Sequence, residues 1–529
     1  LICSGKRIIS AIDETMASMS SVLGTIFGHS RSEPLRPAVK DGTRELDYGT
    51  LLEEVGHYAD GLSSRGVKPG DRVGILMSNS VDFVIVALAC LMTDAIFVPL
   101  SPSDPTVRLV TIIADCNPNF VVVNETTAAV SSTLGVEKIS ILNLRSSSPV
   151  STHELTDSSQ GSYIIYTSGT TGSPKGVLIG NAAFSAALSS TVEALGLSRS
   201  TRTLCISPFH FDGSFGTLFA TLFAGGSVVI RPRDELLFPR AFFNTVAKEQ
   251  ITYTGFSPSY LRLLLSSPQV DRLRDSSLEI VALGGEAAIA ADVLSLWSKA
   301  PQLKIFNRYG PTETTIAVTH AHLSKEMVAR GTVSIGRPHP NVRFHLLSED
   351  RVVVEGADQS GELYIAGIQL MDGYWGDDNL SAEVLRRDIV PNELVYRTGD
   401  LVYRDTNDEY FYVDRLDRVV KRSGVRISLV ELGESIRHAA HVNAAVCVMF
   451  DNHDEPGIVA FVVSDADVDV GDVMSGLKKL LPESMLPNRV MFVDALPMTN
   501  SGKLDERKLL RDAGLRQPGT GSEASPKSE

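Results

Sequence analysis

The stretch best equipped for chemistry runs from Tyr166 to Gly176 and reads YTSGTTGSPKG. Thr167, Ser168, Thr170 and Thr171 offer hydroxyl donors, Gly169 and Gly172 let backbone N–H groups approach an anion, and Lys175 adds a mobile positive charge. Such a set suits the oxygens of a polyphosphate. Ser162 to Ile165 upstream reads as a short buried strand, so the chain is expected to leave a sheet near Thr167 and enter an irregular loop. A Walker loop needs Gly-Lys followed by Ser or Thr, whereas here Pro174 precedes the lysine and Gly176 follows it, which excludes that class. Taken alone, the stretch reads either as a phosphate loop or as a Ser/Thr/Gly surface loop.

Four further positions carry chemistry. Asp212 sits in SPFHFDGSFGTLFATLFAGGSVVI, whose central portion is apolar on nearly all sides and must be interior. A carboxylate placed there needs a cation or hydrogen-bond donors; a helix N-cap or a core salt bridge would also satisfy it. Glu313 is the only carboxylate of the YGPTETT loop, and it can lie near phosphates if a Mg²⁺ ion bridges them; a plain Gly-Pro turn is the other reading. Asp400, in YRTGD, is placed to accept two hydroxyl protons of a ribose diol or to form an Asx turn. Lys503 stands in a tight Asn-Ser-Gly turn, where a lysine is ordinarily only solvated.

The elements that must hold these residues follow from periodicity. Leu46 to Gly66 places Leu51, Leu52, Val55, Tyr58, Ala59 and Leu62 on one helical face with Gly66 as terminator. Phe83 to Met92 reads as a buried helix too short to span a bilayer, Ala95 to Leu100 and Asn119 to Val123 as strands, and Ala182 to Leu195 as a helix. Strand alternating with helix predicts an α/β class with a largely parallel sheet covered on both faces. Residues 124 to 160, rich in Thr, Ser and Asn, are expected to form a variable surface segment, and residues 333 to 413 a compact β-rich subdomain. Beyond Asp417 a small α+β unit is expected, with a helix from Leu429 to Ala440, strands at Ala444 to Phe450 and Ile458 to Val463, and a helix from Val470 to Leu480.

A chain of 529 residues exceeds one hydrophobic core, so at least two domains are expected. The net charge of −14 and the lack of a basic, aromatic-interleaved stripe argue against a nucleic-acid partner. Of the cysteines Cys3, Cys90, Cys116, Cys205 and Cys447, four have the apolar neighbours of buried free thiols, and none shows zinc-ligand spacing, which points to a reducing, cytoplasmic setting. Neither a secretory signal nor a membrane anchor is expected.

YTSGTTGSPKG resembles the phosphate-loop signature of the adenylate-forming superfamily, which includes acyl-CoA synthetases, luciferases and the adenylation domains of nonribosomal peptide synthetases. LDYGTL and LMTDAIFVPL are similar to its first two core motifs, with Asp94 where glycine is usual, and PMTNSGKLDERKL is similar to its terminal motif. FHFDGSF resembles the aromatic-rich motif of the amino-acid-activating members, and Asp372 before GYW replaces a usual arginine. The likeness extends over roughly residues 40 to 512. It implies a large N-terminal domain of two sheets flanked by helices plus a β-rich subdomain (residues 1–414), a hinge at 415–418 centred on Asp417, a small mobile C-terminal domain (419–514) and a disordered tail (515–529).

By the same resemblance, Asn307 and Tyr309 contact adenine, Gly284 and Gly310 line the nucleotide, Thr312 meets phosphate, Glu313 holds Mg²⁺, Asp400 binds ribose, and Tyr412 and Arg415 lie close by. Lys503 is implied to be catalytic. The implied reaction uses ATP and Mg²⁺ to convert an amino acid to aminoacyl-AMP and pyrophosphate. The acyl group then passes to the phosphopantetheine thiol of a separate carrier protein, and a small MbtH-like activator is a further implied partner. No Gly-Gly-x-Ser site follows Lys503 and no condensation domain precedes, so a free-standing enzyme, or one excised from a larger synthetase, is expected. An acyl- or aryl-CoA ligase is the alternative in the same superfamily, and a non-catalytic nucleotide-binding protein the alternative outside it.

The substrate pocket implied by the family's specificity positions comprises Phe211, Asp212, Gly213, Gly216, Gly255, Val281, Leu283, Arg308, Ile316 and Ala317, with Asp212 pairing the ammonium group and Lys503 the carboxylate. Three glycines predict a roomy pocket, and Val281, Leu283 and Ile316 an apolar lining, favouring a large side chain. Arg308 either points inward to an oxygen on the substrate or turns outward to Glu286 or the nucleotide.

Overall fold

The computed structural model describes residues 21–42, 44–128, 134–146, 161–168, 174–416, 419–422, 425–452, 457–465, 468–479, 481, 486–499 and 504–517. The fold is α/β, with a large N-terminal domain of two sheets flanked by helices and a β-rich subdomain, followed by a small α+β C-terminal domain. By compactness the chain divides into two units, Leu1–His345 with Tyr364–Thr398 and Thr406–Phe411, and Leu346–Leu363 with Gly399–Asp405 and Tyr412–Glu529.

In the first unit, one sheet of seven strands runs in the order Gly373–Tyr374, Pro174–Gly180, Gly161–Ser168, Ile96–Leu100, Arg72–Leu76, Phe120–Val123, Lys138–Ser140. Its central strands are parallel and apolar throughout, as strands buried on both faces must be. The last strand and the short helix Ile141–Leu144 fall within the segment expected to be variable surface. Leu134, Ile139, Ile141 and Leu144 are buried, so part of that segment is core; so short an apolar run amid polar residues shows no periodicity. The other sheet has eight strands, ordered Thr319–His322, Lys304–Tyr309, Ile280–Gly284, Tyr253–Phe256, Arg202–Cys205, Ser227–Ile230, Pro37–Lys40, Glu45–Asp47.

Helices fill the space around these sheets. Tyr48–Ser64 starts where Asp47 accepts from the Thr50 N–H and ends before Gly66, whose φ of +81° breaks it. Val81–Met92 is capped by Ser80 and buried on nearly every side, which is why its sequence shows no polar face. Asp94 just beyond has φ +52°, a left-handed conformation that accounts for a glycine being the usual residue at this point. Phe97 and Tyr163 of the seven-stranded sheet, Phe184 of the Asn181–Leu195 helix, and Phe215 and Phe219 of the Phe215–Phe223 helix form one edge-to-face cluster. Each such pair adds about 0.5–1.5 kcal/mol beyond area burial. Cys90, Cys116, Cys205 and Cys447 are buried free thiols.

Residues 342–415 supply a sheet ordered Val342–Leu347, Ser360–Gly367, Val395–Arg404, Leu385–Arg386, with Tyr410–Arg415 also on Val395–Arg404. In the second unit, Ala444–Phe450, Gly457–Val463 and Arg489–Phe492 form a three-stranded sheet. Alternate residues cover its two faces: Cys447, Ile458 and Ala460 meet Leu432, Ile436 and Leu477, while Val448, Val459 and Phe461 meet Leu509 and Leu510. Among the described residues, no helix is long and apolar enough to cross a membrane.

Candidate active site

The described parts of the phosphate-loop stretch are the ends of two antiparallel strands, Gly161–Ser168 and Pro174–Gly180. Thr167 pairs with Lys175 and Ser168 with Pro174, so the first strand ends at Ser168, close to the expected exit, and Lys175 lies on the second strand. Gly176 is dictated by packing, since a Cβ there would lie 2.9 Å from Ile164 Cγ2 and from Tyr166 Cζ. Gly169, Thr170, Thr171 and Gly172 lie outside the described residues, as do Asp417 and Lys503.

A residue not singled out in the sequence joins this strand pair to Glu313. Tyr374 lies on the two-residue strand paired with Val177 and Leu178. Lys175 Nζ sits 5.7 Å from its ring centroid, and its hydroxyl donates to Glu313 Oε1 at 2.7 Å. The Met371 N–H fixes the Glu313 carbonyl at 2.9 Å. One cation and one carboxylate are thereby held about a single aromatic ring. Mg²⁺ is usually bound by one or two carboxylates with substrate phosphates completing the shell, and a carboxylate oriented by a tyrosine beside a lysine fits it. Tyr374→Phe keeps the ring under Lys175 and removes only the bond to Glu313. It is expected to raise the Mg²⁺ concentration needed for half-maximal activity by about 10-fold. An unchanged Mg²⁺ titration would separate Tyr374 from the metal.

The strand Lys304–Tyr309 and the loop after it set the remaining residues. The buried Asn307 amide nitrogen donates to the Ser334 carbonyl at 2.9 Å, which turns its oxygen the other way. Gly310 is required because a Cβ would approach Ala317 Cα to 2.6 Å where the chain folds back. Thr312–Thr314 form a 3-10 turn carrying Glu313. Thr315 and Ile316 follow with φ of +61° and +69°, an unusual pair for β-branched residues. Gln369 holds them: its side-chain nitrogen donates to the carbonyls of Ala317 (2.7 Å) and Thr315 (3.3 Å), and its backbone carbonyl accepts from the Thr315 hydroxyl at 2.7 Å.

The pocket residues divide differently from expectation. Gly255, Ala282, Gly284 and Arg308 share one face of the eight-stranded sheet, whereas Val281 and Leu283 sit on the other, in the core with Phe256 and Leu204. The pocket face is therefore one residue out of register with the expected one: Ala282 and Gly284 replace Val281 and Leu283. Arg308 points inward. A Cβ on Gly284 would lie 3.3 Å from its Nε, one on Gly255 3.0 Å from Nη2, and one on Gly216 3.6 Å from Nη1. These glycines give Arg308 a path across the sheet, so they do not create a roomy cavity; open space remains beside Gly213. Glu286 does not pair with Arg308, and its Oε2 accepts instead from the Ser259 N–H at 3.0 Å and hydroxyl at 2.5 Å.

Asp212 opens the 3-10 turn Asp212–Ser214, half-buried beside Phe211, one turn before Gly216. The helix Phe215–Phe223 is capped at Ser214 with no side-chain bond, so Asp212 is not its N-cap. Ile316, against which a Gly216 Cβ would press at 2.7 Å, and Ala317 are buried.

Within the second unit, Asp400 is 5% exposed and forms an ion pair with Arg415 at 3.6 Å. Tyr412 is half-buried on the same Tyr410–Arg415 strand. Asp372 is exposed, its carboxylate over Gly180.

Known proteins share this arrangement. The AMP-binding enzyme profile matches residues 27–375, and the AMP-binding enzyme C-terminal domain matches residues 435–503. The chain is 32% identical over 524 residues to syringomycin synthase SyrB1 of Pseudomonas syringae pv. syringae, covering 95% of this chain and 84% of that protein. It is 29% identical over 508 residues to tyrocidine synthase 2 of Brevibacillus parabrevis, covering 95% of this chain and 14% of that one. The chain thus spans a fifth or less of several large synthetases that it matches. Among solved structures, a four-domain nonribosomal peptide synthetase bound to AMP and glycine superposes with a TM-score of 0.81 at 26% identity, over 96% of this chain and 37% of that one. Klebsiella oxytoca NpsA in complex with 3-hydroxyanthranilyl-AMSN shares the fold, with a TM-score of 0.83 at 23% identity over 94% of this chain and all of that one. Profile matches over most of its length, together with the 32% identity to syringomycin synthase SyrB1, make this chain a member of the AMP-binding enzyme family, in the adenylate-forming superfamily and of the nonribosomal peptide synthetase adenylation type.

Proposed function

We propose that the protein activates an amino acid with ATP, forming aminoacyl-AMP and pyrophosphate, and passes the acyl group to the phosphopantetheine thiol of a carrier protein. In the first step a carboxylate oxygen of the amino acid attacks the α-phosphorus of ATP. A new O–P bond forms, the bond from Pα to the bridging oxygen of the β-phosphate breaks, and pyrophosphate leaves. Lys175 and the phosphate-loop stretch hold the phosphates, Glu313 carries Mg²⁺, which offsets phosphate charge, and Asn307 and Tyr309 hold adenine. Asp400 takes the ribose, with Tyr412 and Arg415 near it. Lys503 neutralises charge shared between carboxylate and α-phosphate. Asp417 is the hinge about which the small domain alternates between the half-reactions.

The observation that carries the amino acid reading is an acid, Asp212, one turn before the glycine on which the Arg308 guanidinium rests. An acid at one end of a pocket and a base at the other suit a substrate with an ammonium group and a polar far end. ATP–pyrophosphate exchange across a panel of amino, aryl and acyl acids tests this. Exchange is expected with amino acids, and transfer to a phosphopantetheinylated carrier rather than to free coenzyme A. Exchange confined to acids without an amino group would make the protein an acyl- or aryl-CoA ligase.

A further inference from the structure

Four buried polar atoms cluster around Arg308: Thr217 Oγ1 and the Tyr253 hydroxyl, which lie close to each other, and Arg308 Nη1 and His320 Nε2, which have no hydrogen-bond partner among the described residues. They belong to one place. A Cβ on Gly255 would lie 2.9 Å from Thr217 Oγ1 and 3.0 Å from Arg308 Nη2, so hydroxyl and guanidinium flank the same point. Tyr253 is two residues before Gly255 on the same strand face, and His320 is directly opposite Arg308 on the neighbouring antiparallel strand. Buried polar atoms without partners are uncommon, and a guanidinium nitrogen left without one beside two hydroxyl groups marks a site whose acceptor arrives with a ligand.

The protonation of this cluster is fixed from outside it. The Gln369 amide nitrogen faces the carbonyls of Ala317 and Thr315, so its side-chain oxygen faces His339 at 3.0 Å and accepts a hydrogen bond from the His339 Nδ1–H. His339 is neutral, since burial lowers its pKa to about 4, so its Nε2 carries a lone pair. That lone pair, 2.8 Å from His320 Nδ1, accepts the N–H of His320. His320 is held neutral by burial and by the nearby His339 and Arg308, which leaves Nε2 as an acceptor. Through this relay the protein gives Arg308 a neutral neighbour with a lone pair. Among the described residues, no acidic side chain forms an ion pair with Arg308.

We propose that the inner end of the pocket receives a carboxylate, so that the amino acid activated is one with an acidic side chain. The proposal rests on the adenylation reading above and deepens it. A guanidinium fork matches a carboxylate with two parallel hydrogen bonds, and Thr217 can donate a third. A phenol offers one oxygen and no charge, leaving a guanidinium in a glycine-lined pocket uncompensated. His320 is a positioning residue: a neutral, polar side chain directly opposite Arg308, it lets the guanidinium keep its charge and leaves its Nη1 free for the ligand.

The test is exchange kinetics of the wild type on matched pairs: aspartate and asparagine, glutamate and glutamine, 2-aminoadipate and norleucine. At least one acidic member should exceed its neutral partner in kcat/KM by about 10²-fold, because buried donors built for an anion reject an isostere without charge. Arg308→Ala should abolish that preference. His320→Leu should raise KM for the acidic substrate with kcat largely kept, and His320→Gln, which retains an acceptor, should recover part of it. A wild type that prefers the amide or apolar member of every pair overturns the proposal, and so does an Arg308→Ala variant that keeps the acidic preference. In either case exchange with some amino acid leaves the adenylation reading standing. Exchange only with acids lacking an amino group overturns both.

Discussion

Replacing Lys503 with alanine is expected to reduce adenylate formation by about 10²–10³-fold, the loss that follows removal of one group aimed at charge developing in a transition state. Thermal stability should change little. The chain around this position is anchored without the lysine side chain: Met498 and Leu504 form an antiparallel bridge, the Asp505 N–H donates to the Pro497 carbonyl at 2.8 Å, and the Asp505 carboxylate caps the helix Glu506–Asp512. That helix is held by Leu509 and Leu510 packed on the Phe450 and Phe461 face of the small sheet. With the flanking chain held by these contacts, loss of the Lys503 amine is expected to be felt in rate and not in folding. The variant should still transfer acyl groups from chemically supplied aminoacyl-AMP to a carrier, since the thioester step needs no charge neutralisation at the α-phosphate by this lysine. Retention of more than about a third of the wild-type adenylation rate would remove Lys503 from the mechanism.

Much of this architecture was legible because its signals are local. The helix Tyr48–Ser64 announces itself by one apolar stripe and a terminal glycine, and the small-domain strands Ala444–Phe450 and Gly457–Val463 by short continuous apolar runs. The strand Gly161–Ser168 is legible for the same reason, since its buried residues Ser162 to Ile165 are consecutive in sequence. What was misread was non-local. In Ile280–Gly284 every side chain through Leu283 is apolar and buried, so no alternation shows which residues face the pocket, and the lining was placed one residue off. The direction of Arg308 depends on Gly216, Gly255 and Gly284, which come from three different elements, and a glycine in sequence does not say whether it leaves a space or admits a neighbour. His320, His339 and Gln369 are linked only by folding, and Tyr374 reaches Glu313 across 61 positions of sequence.

Asp212→Asn is expected to lower kcat/KM for the preferred amino acid by about 10²–10³-fold, the cost of leaving a desolvated ammonium group without its counter-charge. Asparagine has nearly the volume of aspartate, so the pocket keeps its shape. The local fold should persist as well, because the Ser214 hydroxyl bonds the Phe211 carbonyl at 2.7 Å and the helix behind it is set by Phe215 and Phe219 in the aromatic cluster. Neither anchor uses the Asp212 charge, and Asp212 caps neither the turn nor the helix. The burial of Asp212 Oδ2 makes the loss large, since a charge shielded from water is felt at short range by whatever occupies the pocket. The control is the des-amino analogue of the same acid. It has no ammonium group to lose, so its low activity should be the same in variant and wild type, or higher in the variant. The ratio of amino to des-amino kcat/KM should therefore collapse in the variant while its melting temperature stays close to that of the wild type. Equal losses on both substrates would make Asp212 a packing residue, and the case for amino acid over acyl activation would then rest on the exchange panel alone.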